Sequence, residues 1–219
     1  MHCLIFGATG TAGSEVVRQA IADPQVDKIT IVVRRPVGFH HAKVNTVIHH
    51  DFISYKDMLP LFRTVNTCIW CLGISQTQVS KEQYLAITYD FVIAAATAMH
   101  SVNPEISFVF LSGQGADSAE KSKVLFAKVK GKAENALKLL SFKHIYIFRP
   151  GVIVPISPST GKAWKYRMGK LIQWMAPKNT ITTEQLARVM LYLAKNHEPS
   201  VLLENREIRA IVEKLQYKH

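Results

Sequence analysis

Short hydrophobic runs alternate with amphipathic segments along most of this chain. The runs are rich in β-branched residues, as is typical of strands that are buried on both faces of a parallel sheet. They predict six strands, at residues 2–6, 28–33, 44–49, 67–72, 106–111 and 144–148. The segments between them predict helices near residues 14–20, 55–62, 81–100 and 122–140. This alternation of strands and helices predicts an α/β fold with a doubly wound parallel sheet.

The pattern changes after Arg149-Pro150-Gly151. A loop that contains Pro155 and Pro158 extends to residue 161, two helices are predicted at 163–175 and 183–194, and residues 200–204 fit a last edge strand. No linker, repeat or low-complexity tract separates these elements from the preceding ones. We therefore predict one domain over residues 1–219, with a core of 1–150 and a small C-terminal helical elaboration, 151–219, that covers the substrate side.

Composition narrows the class of protein. The 219 residues are 48% hydrophobic and 20% charged, which is typical of a globular protein. No stretch contains the roughly 18 consecutive apolar residues that would cross a bilayer. The N-terminus lacks a charged region followed by a separate apolar segment. We therefore expect a cytoplasmic protein without a transmembrane segment.

Cysteine and histidine residues do not predict a metal site. Cys68 and Cys71 form a C-x-x-C, but they lie in a predicted buried strand, so core packing is favoured over redox or metal chemistry. The odd count of three cysteines does not indicate a disulfide framework. The nine histidines show no spacing that would pair them with cysteines or acids as ligands.

The net charge of +11 calls for an anionic partner, such as nucleic acid, an anionic membrane or a phosphorylated cofactor. Much of the excess lies at residues 121–143 and 162–178. Helical periodicity places Lys123, Glu134 and Lys138 on one side, which we interpret as a solvated face. No helix-turn-helix pattern or aromatic-interleaved basic motif is present, so we expect no nucleic-acid partner.

A glycine turn follows the first strand and leads directly into a helical pattern. Gly7, Gly10 and Gly13 are spaced G-x-x-G-x-x-G, with Thr9, Thr11 and Ala12 between them. Gly7 allows a tight turn, Gly10 leaves room for a pyrophosphate, and Gly13 allows close packing of helix on strand. The free N–H groups at the start of the helix would face the phosphates. This order of elements predicts a dinucleotide site.

The end of the second strand indicates which dinucleotide binds. An NAD site places an acid there, which accepts hydrogen bonds from the ribose hydroxyls. This chain has Arg34 and Arg35 instead. Guanidinium groups bind a 2′-phosphate through charge-assisted hydrogen bonds, so we predict a preference for NADP(H).

Together these features resemble the atypical short-chain dehydrogenase/reductases with the Rossmann fold, in particular the branch of Tat-interacting-protein oxidoreductases and NmrA-like proteins. The resemblance covers nearly the whole chain and rests on residues 7–13, Val33-Arg34-Arg35, Asp51-Phe52, Cys71-Leu72-Gly73, Tyr89-Asp90, Leu111-Ser112, Gly115-Ala116-Asp117, Val129-Lys130-Gly131, Phe148-Arg149-Pro150-Gly151-Val152 and Leu203-Glu204-Asn205. It implies that Asp51 and Phe52 lie beside the adenine and that Leu72 and Gly73 follow the ribose and pyrophosphate. Pro150 and Gly151 would also contact the cofactor.

The resemblance further implies a Tyr-x-x-x-Lys pair and a serine as catalytic groups. Tyrosine would exchange a proton with the substrate carbonyl, and lysine would lower its pKa and hold the nicotinamide ribose. Lys130 is kept here, but Phe126 stands at the tyrosine position. Ser112 is followed by Gly113, where relatives tend to carry two serines. No spacing supports Tyr84, Tyr89 or a water as a replacement proton donor.

The predicted helix 163–175 has an apolar stripe and a basic remainder. The stripe consists of Trp164, Met168, Leu171, Ile172 and Met175, and the basic residues are Lys162, Lys165, Arg167 and Lys170. We favour docking of this stripe on the core over contact with a membrane or partner.

The function expected from the sequence is that of an NADP(H)-dependent oxidoreductase that acts on a small carbonyl-type substrate, as a monomer or homodimer. The alternative is a non-catalytic regulator or interaction protein that senses NADPH, which Phe126 favours.

Overall fold

Seven parallel strands form the central sheet of the computed structural model, which describes residues 1–156 and 163–216. Their order across the sheet is β3-β2-β1-β4-β5-β6-β9, so the chain winds outward in both directions from β1 and β4. The strands are β1 (His2–Phe6), β2 (Lys28–Val33), β3 (Val44–Ile48), β4 (Thr67–Trp70), β5 (Ser107–Leu111), β6 (His144–Arg149) and β9 (Val201–Glu204). The predicted doubly wound parallel sheet is confirmed, as is the predicted edge strand, β9.

Helices cover both faces of this sheet because the strands bury alternate residues on opposite sides. In β1, Cys3 and Ile5 face one hydrophobic cluster, whereas Leu4 and Phe6 face the other. Helices α1, α7 and α8 lie on the first face, and α2, α4 and α5 lie on the second. The helices are α1 (Thr11–Ala22), α2 (Leu59–Phe62), α3 (Lys81–Leu85), α4 (Phe91–Val102), α5 (Leu125–Leu139), α6 (Ala163–Met175), α7 (Thr183–Asn196) and α8 (Asn205–Gln216).

Helices α3 and α4 are joined by a π-helical turn, Ala86–Asp90, into one long helix that begins at a capping box formed by Ser80 and Gln83. By length and composition alone, the joined helix Lys81–Val102 could cross a membrane. In the fold it covers the sheet, with Val92 and Met99 fully buried in the second cluster. One face of the joined helix is therefore part of the core.

The structure adds three elements that the sequence pattern did not predict. Strands β7 (Val152–Val154) and β8 (Thr180–Thr182) pair in parallel as a separate small sheet. They are too short for an alternating pattern to stand out. Helix α8, which starts directly after β9, is the third of these elements. It was not predicted, although its apolar residues show helical spacing. Residues 157–162 of the predicted loop lie outside the described residues.

Helix α5 starts three residues later than predicted because one side chain holds the preceding segment in a loop. The Asp117 carboxylate accepts hydrogen bonds from the backbone N–H groups of Ala119, Lys121 and Ser122. These contacts keep the backbone ahead of α5 out of the helix, which begins at Leu125.

Asn205 ties the C-terminal elements to the carboxyl end of β6. Its side-chain Oδ1 accepts a hydrogen bond from the Gly151 N–H at 3.0 Å, and its Nδ2 donates to the Lys178 carbonyl at 2.8 Å. The Asn205 side chain is buried, and both of these hydrogen bonds are partly buried. This single residue therefore joins β9 and α8 to the segments on either side of the small sheet.

We predict that Asn205→Ala lowers the free energy of unfolding by about 1–3 kcal/mol, because it removes two partly buried hydrogen bonds to the backbone. Urea denaturation followed by circular dichroism measures this loss. The matched control is Arg206→Ala, because the neighbouring Arg206 side chain is 92% exposed; we expect a change within about 0.5 kcal/mol. Equal effects of the two substitutions would contradict the anchoring role of Asn205.

Candidate active site

The turn between β1 and α1 can be built only with glycine at its first position. Gly7 has a φ of +78°, and a Cβ atom there would lie 2.6 Å from backbone atoms of Cys71 and Leu72. Its carbonyl accepts a hydrogen bond from the Gly10 N–H at 2.9 Å. The tight turn is as the sequence predicts, whereas the close approach to the segment after β4 was not predicted.

Gly13 sets how closely α1 packs against this turn. A Cβ atom on Gly13 would lie 2.2 Å from the Gly7 carbonyl oxygen, so a larger residue would push the helix away. The first N–H groups of α1, from Thr11, Ala12 and Gly13, have no acceptor within the helix. They are therefore presented at the carboxyl edge of the sheet, where they can bind an anion.

A cavity of about 370 Å³ lies beside this turn and is lined by residues from four parts of the chain, one of which is the turn itself. Arg34 and Arg35 follow β2, Phe52 follows β3, and Leu72 follows β4. The cavity is also lined by Gly7, Ala8, Thr9, Val32, Val33, Pro36 and Val37. A small neighbouring cavity adds Gly73, Ile74, Ile87 and Phe91. The fold thus places Arg34, Arg35, Phe52 and Leu72, which the sequence analysis named as cofactor-binding residues, around one cavity.

Asp51 and the residues after β6 lie outside the described lining of this cavity. The Asp51 carboxylate accepts hydrogen bonds from the backbone N–H groups of Ile53 and Ser54, so it caps the turn that carries Phe52. The Pro150 carbonyl accepts from the Gln114 N–H at 3.0 Å, which joins the ends of β5 and β6. In this structure both groups shape the site through backbone contacts.

A larger open cleft, of about 480 Å³, lies between α1 and α7. Gln19, Asp23 and Lys195 are among the residues that line it, and the last two form an ion pair. Among the described residues, its lining includes none of the predicted site residues. Volume alone therefore does not identify the site, and we place it at the glycine turn.

Phe126 occupies the space next to Gly113. A Cβ atom on Gly113 would lie 2.8 Å from Cζ of the Phe126 ring, so a larger residue at this position would require the end of the ring to shift. The Phe126 N–H donates to Oε1 of Gln76 at 2.9 Å, which fixes the first turn of α5. Phe126 therefore lies directly against Gly113, the second position at which the chain departs from the family pattern.

Lys130 is buried one turn further along α5 and contacts the end of β5. Its Nζ donates to the Leu111 carbonyl at 2.9 Å and lies 4.8 Å from the centre of the Phe110 ring. Burial lowers the pKa of the Lys130 ammonium from its ordinary value of 10.5 to about 8, although the nearby Glu134 carboxylate opposes this shift. Lys130 is thus anchored to the backbone of the sheet.

The Ser112 hydroxyl donates a hydrogen bond to Oε1 of Glu134 at 2.5 Å. Glu134 is completely buried and also binds Arg149, whose Nε and Nη2 contact its two carboxylate oxygens at 2.9 and 2.5 Å. Because its proton is directed at Glu134, the hydroxyl cannot donate to a substrate carbonyl while this bond persists. The predicted catalytic serine is therefore held by a structural partner.

Arg149 extends this network to a third strand. Its Nη1 donates to Glu204 at the end of β9, and its Nη2 donates to the Ser118 hydroxyl. The hydrogen bonds to Glu134 raise the pKa of the guanidinium above its ordinary value, so Arg149 keeps its positive charge. We refer to Ser112, Glu134, Arg149 and Glu204 as the buried network.

The prediction that Glu134 lies on a solvated helix face is wrong. Its carboxylate points inward because Arg149, a partner 15 residues away in sequence, and Ser112 meet it under the helix. Lys123 lies before the start of α5 and so does not share a helix face with Glu134. The one available signal was position: Glu134 lies one turn after Lys130, toward the same side of the helix.

The cysteine and tyrosine side chains that could react are packed in the protein or in contact with neighbouring side chains. Cys68 is buried in β4, and burial raises the pKa of the Cys71 thiol to about 12, which matches the packing interpretation. Tyr84 is buried in the core, and Lys132 lies 4.3 Å from the Tyr89 ring centre. Within the described part of the chain, no group of three or more histidine, cysteine or acidic residues could hold a metal ion.

Comparisons with curated proteins find distant relatives. The chain is 27% identical to Protein HTATIP2 of Rattus norvegicus over 68% of this chain and 62% of that protein, so it spans less than two thirds of this relative. It is 27% identical to Protein FMP52, mitochondrial, of Lodderomyces elongisporus over 92% of this chain and 90% of that protein. No protein-family model matches the chain.

Comparisons with solved structures identify the same fold. MoeE5 in complex with UDP-glucuronic acid and NAD has a TM-score of 0.72 at 12% identity, over 99% of this chain and 83% of that chain. WbmH of Bordetella bronchiseptica in complex with NAD+ has a TM-score of 0.68 at 12% identity, over 98% and 81%. At these identities the likeness concerns the fold. With the curated relatives, it confirms the resemblance to atypical Rossmann-fold short-chain dehydrogenase/reductases.

The expectation of a cytoplasmic location is wrong by the same comparison. The FMP52 relatives from Lodderomyces elongisporus and Candida albicans are both named mitochondrial. The composition of the N-terminus and the length of apolar runs indicate only whether a secretory leader or a membrane-spanning segment is present. Neither criterion distinguishes a mitochondrial protein from a cytoplasmic one.

Burial of Lys130 predicts a specific dependence of stability on pH. Between the folded pKa of about 8 and the ordinary value of 10.5, the unfolded chain binds a proton that the folded chain does not. The free energy of unfolding gains a contribution that rises with pH across this window, by up to roughly 3 kcal/mol. In Lys130→Met this contribution is absent, which urea denaturation at pH values from neutral to above 10 can measure.

The matched control is Lys128→Met, on the exposed side of the same helix. We expect it to retain the wild-type pH dependence over the whole window. If the difference between wild type and Lys130→Met stays constant with pH, Lys130 is not held in the buried, weakly basic state described here.

Proposed function

We propose that this atypical short-chain dehydrogenase/reductase binds NADP(H) at the glycine turn and acts as an oxidoreductase on a small carbonyl-type substrate. The observation that carries the proposal is the cavity beside Gly7, which is lined by Arg34, Arg35, Phe52 and Leu72. When bound, a reduced nicotinamide supplies hydride to a carbonyl carbon. The chain's own residues would bind the cofactor, orient it and supply or withhold a proton.

The cavity fits the chemistry of such a cofactor. A Cβ atom at Gly7 would clash with the backbone of Cys71 and Leu72, and one at Gly13 would clash with the Gly7 carbonyl, so glycine at both positions allows the tight turn that brings the start of α1 to the cavity. The N-terminus of α1 would hold the pyrophosphate, as the N–H groups of Thr11, Ala12 and Gly13 point toward the carboxyl edge. Phe52 and Leu72 would provide apolar contact for the adenosine part.

The arginines support a preference for the 2′-phosphorylated cofactor. Both Arg34 and Arg35 are exposed and line the cavity at the end of β2. Two guanidinium groups at this position would bind a 2′-phosphate and would offer no acceptor for free ribose hydroxyls. We therefore propose NADP(H) in preference to NAD(H).

Proton transfer is the weak step in the proposed reaction. Phe126 has no proton to give, and the Ser112 hydroxyl is directed at Glu134. Lys130 would hold the nicotinamide ribose, as the family resemblance implies, only if its ammonium left or shared its bond with the Leu111 carbonyl. The proton would come from water, and general acid help is typically worth roughly 10²–10⁴ in rate. Turnover would accordingly be slow.

The same observations favour a second candidate function, that of a non-catalytic protein that senses NADPH. Loss of the tyrosine removes proton transfer but leaves the cavity and its arginines in place. A regulator needs cofactor binding alone, so Phe126 together with the Ser112–Glu134 bond supports this candidate. Substrate turnover by the wild-type chain decides between the two.

The cofactor preference is tested by replacing both arginines with alanine. We expect wild type to bind NADPH at least about tenfold more tightly than NADH, a difference of about 1.4 kcal/mol. The double variant Arg34→Ala/Arg35→Ala should lose most of this preference while its NADH affinity changes little. Isothermal titration calorimetry measures both affinities, with the exposed Arg63→Ala as the control. Equal wild-type affinities for the two cofactors would refute the NADP(H) proposal.

The role of Phe126 is tested by Phe126→Tyr, which restores the hydroxyl of the family pattern. We expect NADPH consumption with aldehydes, ketones or quinones to rise by about 10²–10⁴ in this variant, because a general acid is regained. Phe126→Leu is the control, since it changes the ring without adding a proton donor. Activity in the tyrosine variant alone would favour the sensor. Rapid turnover by wild type would refute the sensor and require another proton source.

A further inference from the structure

Helix α6 presents three large apolar side chains to solvent. Leu171, Trp174 and Met175 are 54%, 80% and 70% exposed. On the opposite side of the helix, Gly169 is buried against Val154 of β7. Helix α6 therefore docks on the small sheet through Gly169. Leu171 and Met175, which belong to the predicted stripe, point outward, so the predicted docking is correct for only part of the helix. The side chains of Trp164 and Met168 lie outside the described residues.

The three exposed side chains form one continuous surface. They follow Gly169 by two, five and six residues, which at about 100° per residue places all of them on the face opposite the small sheet. Exposed Arg167 lies one turn before Leu171 on the same face, and exposed Lys178 follows shortly after the helix. We call Arg167, Leu171, Trp174, Met175 and Lys178 the α6 surface.

The charged residues in the chain segment that contains helix α6 are all basic. From residue 151 to residue 183 the chain contains five lysine or arginine residues and no aspartate or glutamate. The α6 surface therefore combines the positive charges of exposed Arg167 and Lys178 with a protruding tryptophan. An apolar face that includes tryptophan, with cations beside it, is the composition of helices that lie at the interface of an anionic bilayer.

We infer that the α6 surface binds anionic phospholipid membranes peripherally, with Leu171, Trp174 and Met175 in the headgroup region and Arg167 and Lys178 on lipid phosphates. A second copy of the chain is a poorer occupant, because a two-fold interface would set this cationic surface against itself. The inference does not depend on the proposed function. It places the carboxyl edge of β6, which leads directly into β7, on the membrane side of the molecule.

Vesicle flotation tests the inference with the full chain. Wild type should float with vesicles made of equal parts phosphatidylcholine and phosphatidylserine, and binding to vesicles of phosphatidylcholine alone should be at least about tenfold weaker. Binding to the anionic vesicles should also fall as salt is raised from low to physiological concentration, because the cations contribute. Indifference to phosphatidylserine would overturn the inference.

Variants locate the contact on the molecule. Leu171→Ser/Trp174→Ser should lower binding to the anionic vesicles by about tenfold or more, because the apolar anchor is lost. The matched control is Leu139→Ser, since Leu139 is 84% exposed at the end of α5, away from this surface, and its replacement should leave binding unchanged. Arg167→Gln/Lys178→Gln should weaken binding and reduce its salt dependence, with Lys128→Gln as the control.

Thermal unfolding and sedimentation distinguish loss of membrane binding from loss of folding and from self-association. Thermal unfolding midpoints of the surface variants should match wild type, which shows that lost binding does not reflect lost folding. Sedimentation of the free protein shows whether it self-associates. Self-association that Trp174→Ser abolishes, without vesicle binding by wild type, would identify a contact between copies and overturn the membrane inference. Equal loss of vesicle binding in Leu139→Ser and Leu171→Ser would overturn it as well.

Discussion

The buried ion pair between Glu134 and Arg149 is the constraint around which the carboxyl edge of the sheet is arranged. A carboxylate with no exposure to water is costly unless it is paired and fully hydrogen-bonded. Glu134 meets this condition through Arg149 and the Ser112 hydroxyl. Arg149 then reaches Glu204. One helix and the ends of three strands, β5, β6 and β9, are joined at a single point.

This arrangement separates two properties that the family pattern normally combines. The glycine turn and the arginines after β2 line the cavity at which we propose that the cofactor binds, and neither belongs to the buried network. The groups at the catalytic positions of the family have other contacts. Ser112 donates a hydrogen bond to Glu134, and Lys130 donates one to the Leu111 carbonyl. Phe126, which has no proton to give, lies beside Gly113. The site is thus better equipped to bind a cofactor than to accelerate proton transfer.

The sequence predicted those features whose causes are local. Strands such as β2 and β6 follow from continuous β-branched or aromatic runs, and the turn at Gly7 follows from the steric needs of its own backbone. Glu134 could not be placed from helix periodicity, because its direction is set by Arg149 and Ser112, which the fold brings to it. Strands β7 and β8 depend on pairing between residues about 30 apart. The exposure of Leu171 and Met175 depends on which face of α6 meets the small sheet.

The buried network is tested most directly by a double-mutant cycle in urea denaturation with Glu134→Met, Arg149→Met and the double variant. Arg149→Met leaves the fully buried Glu134 carboxylate without an ionic partner, and we expect it to lower the free energy of unfolding by about 3–5 kcal/mol. Glu134→Met leaves Arg149 paired with Glu204, and we expect a smaller loss. The double variant removes both charges, so its loss should be smaller than the sum of the single losses by more than about 1 kcal/mol. Losses that add to within about 0.5 kcal/mol would show that the two side chains act independently, and would contradict the account.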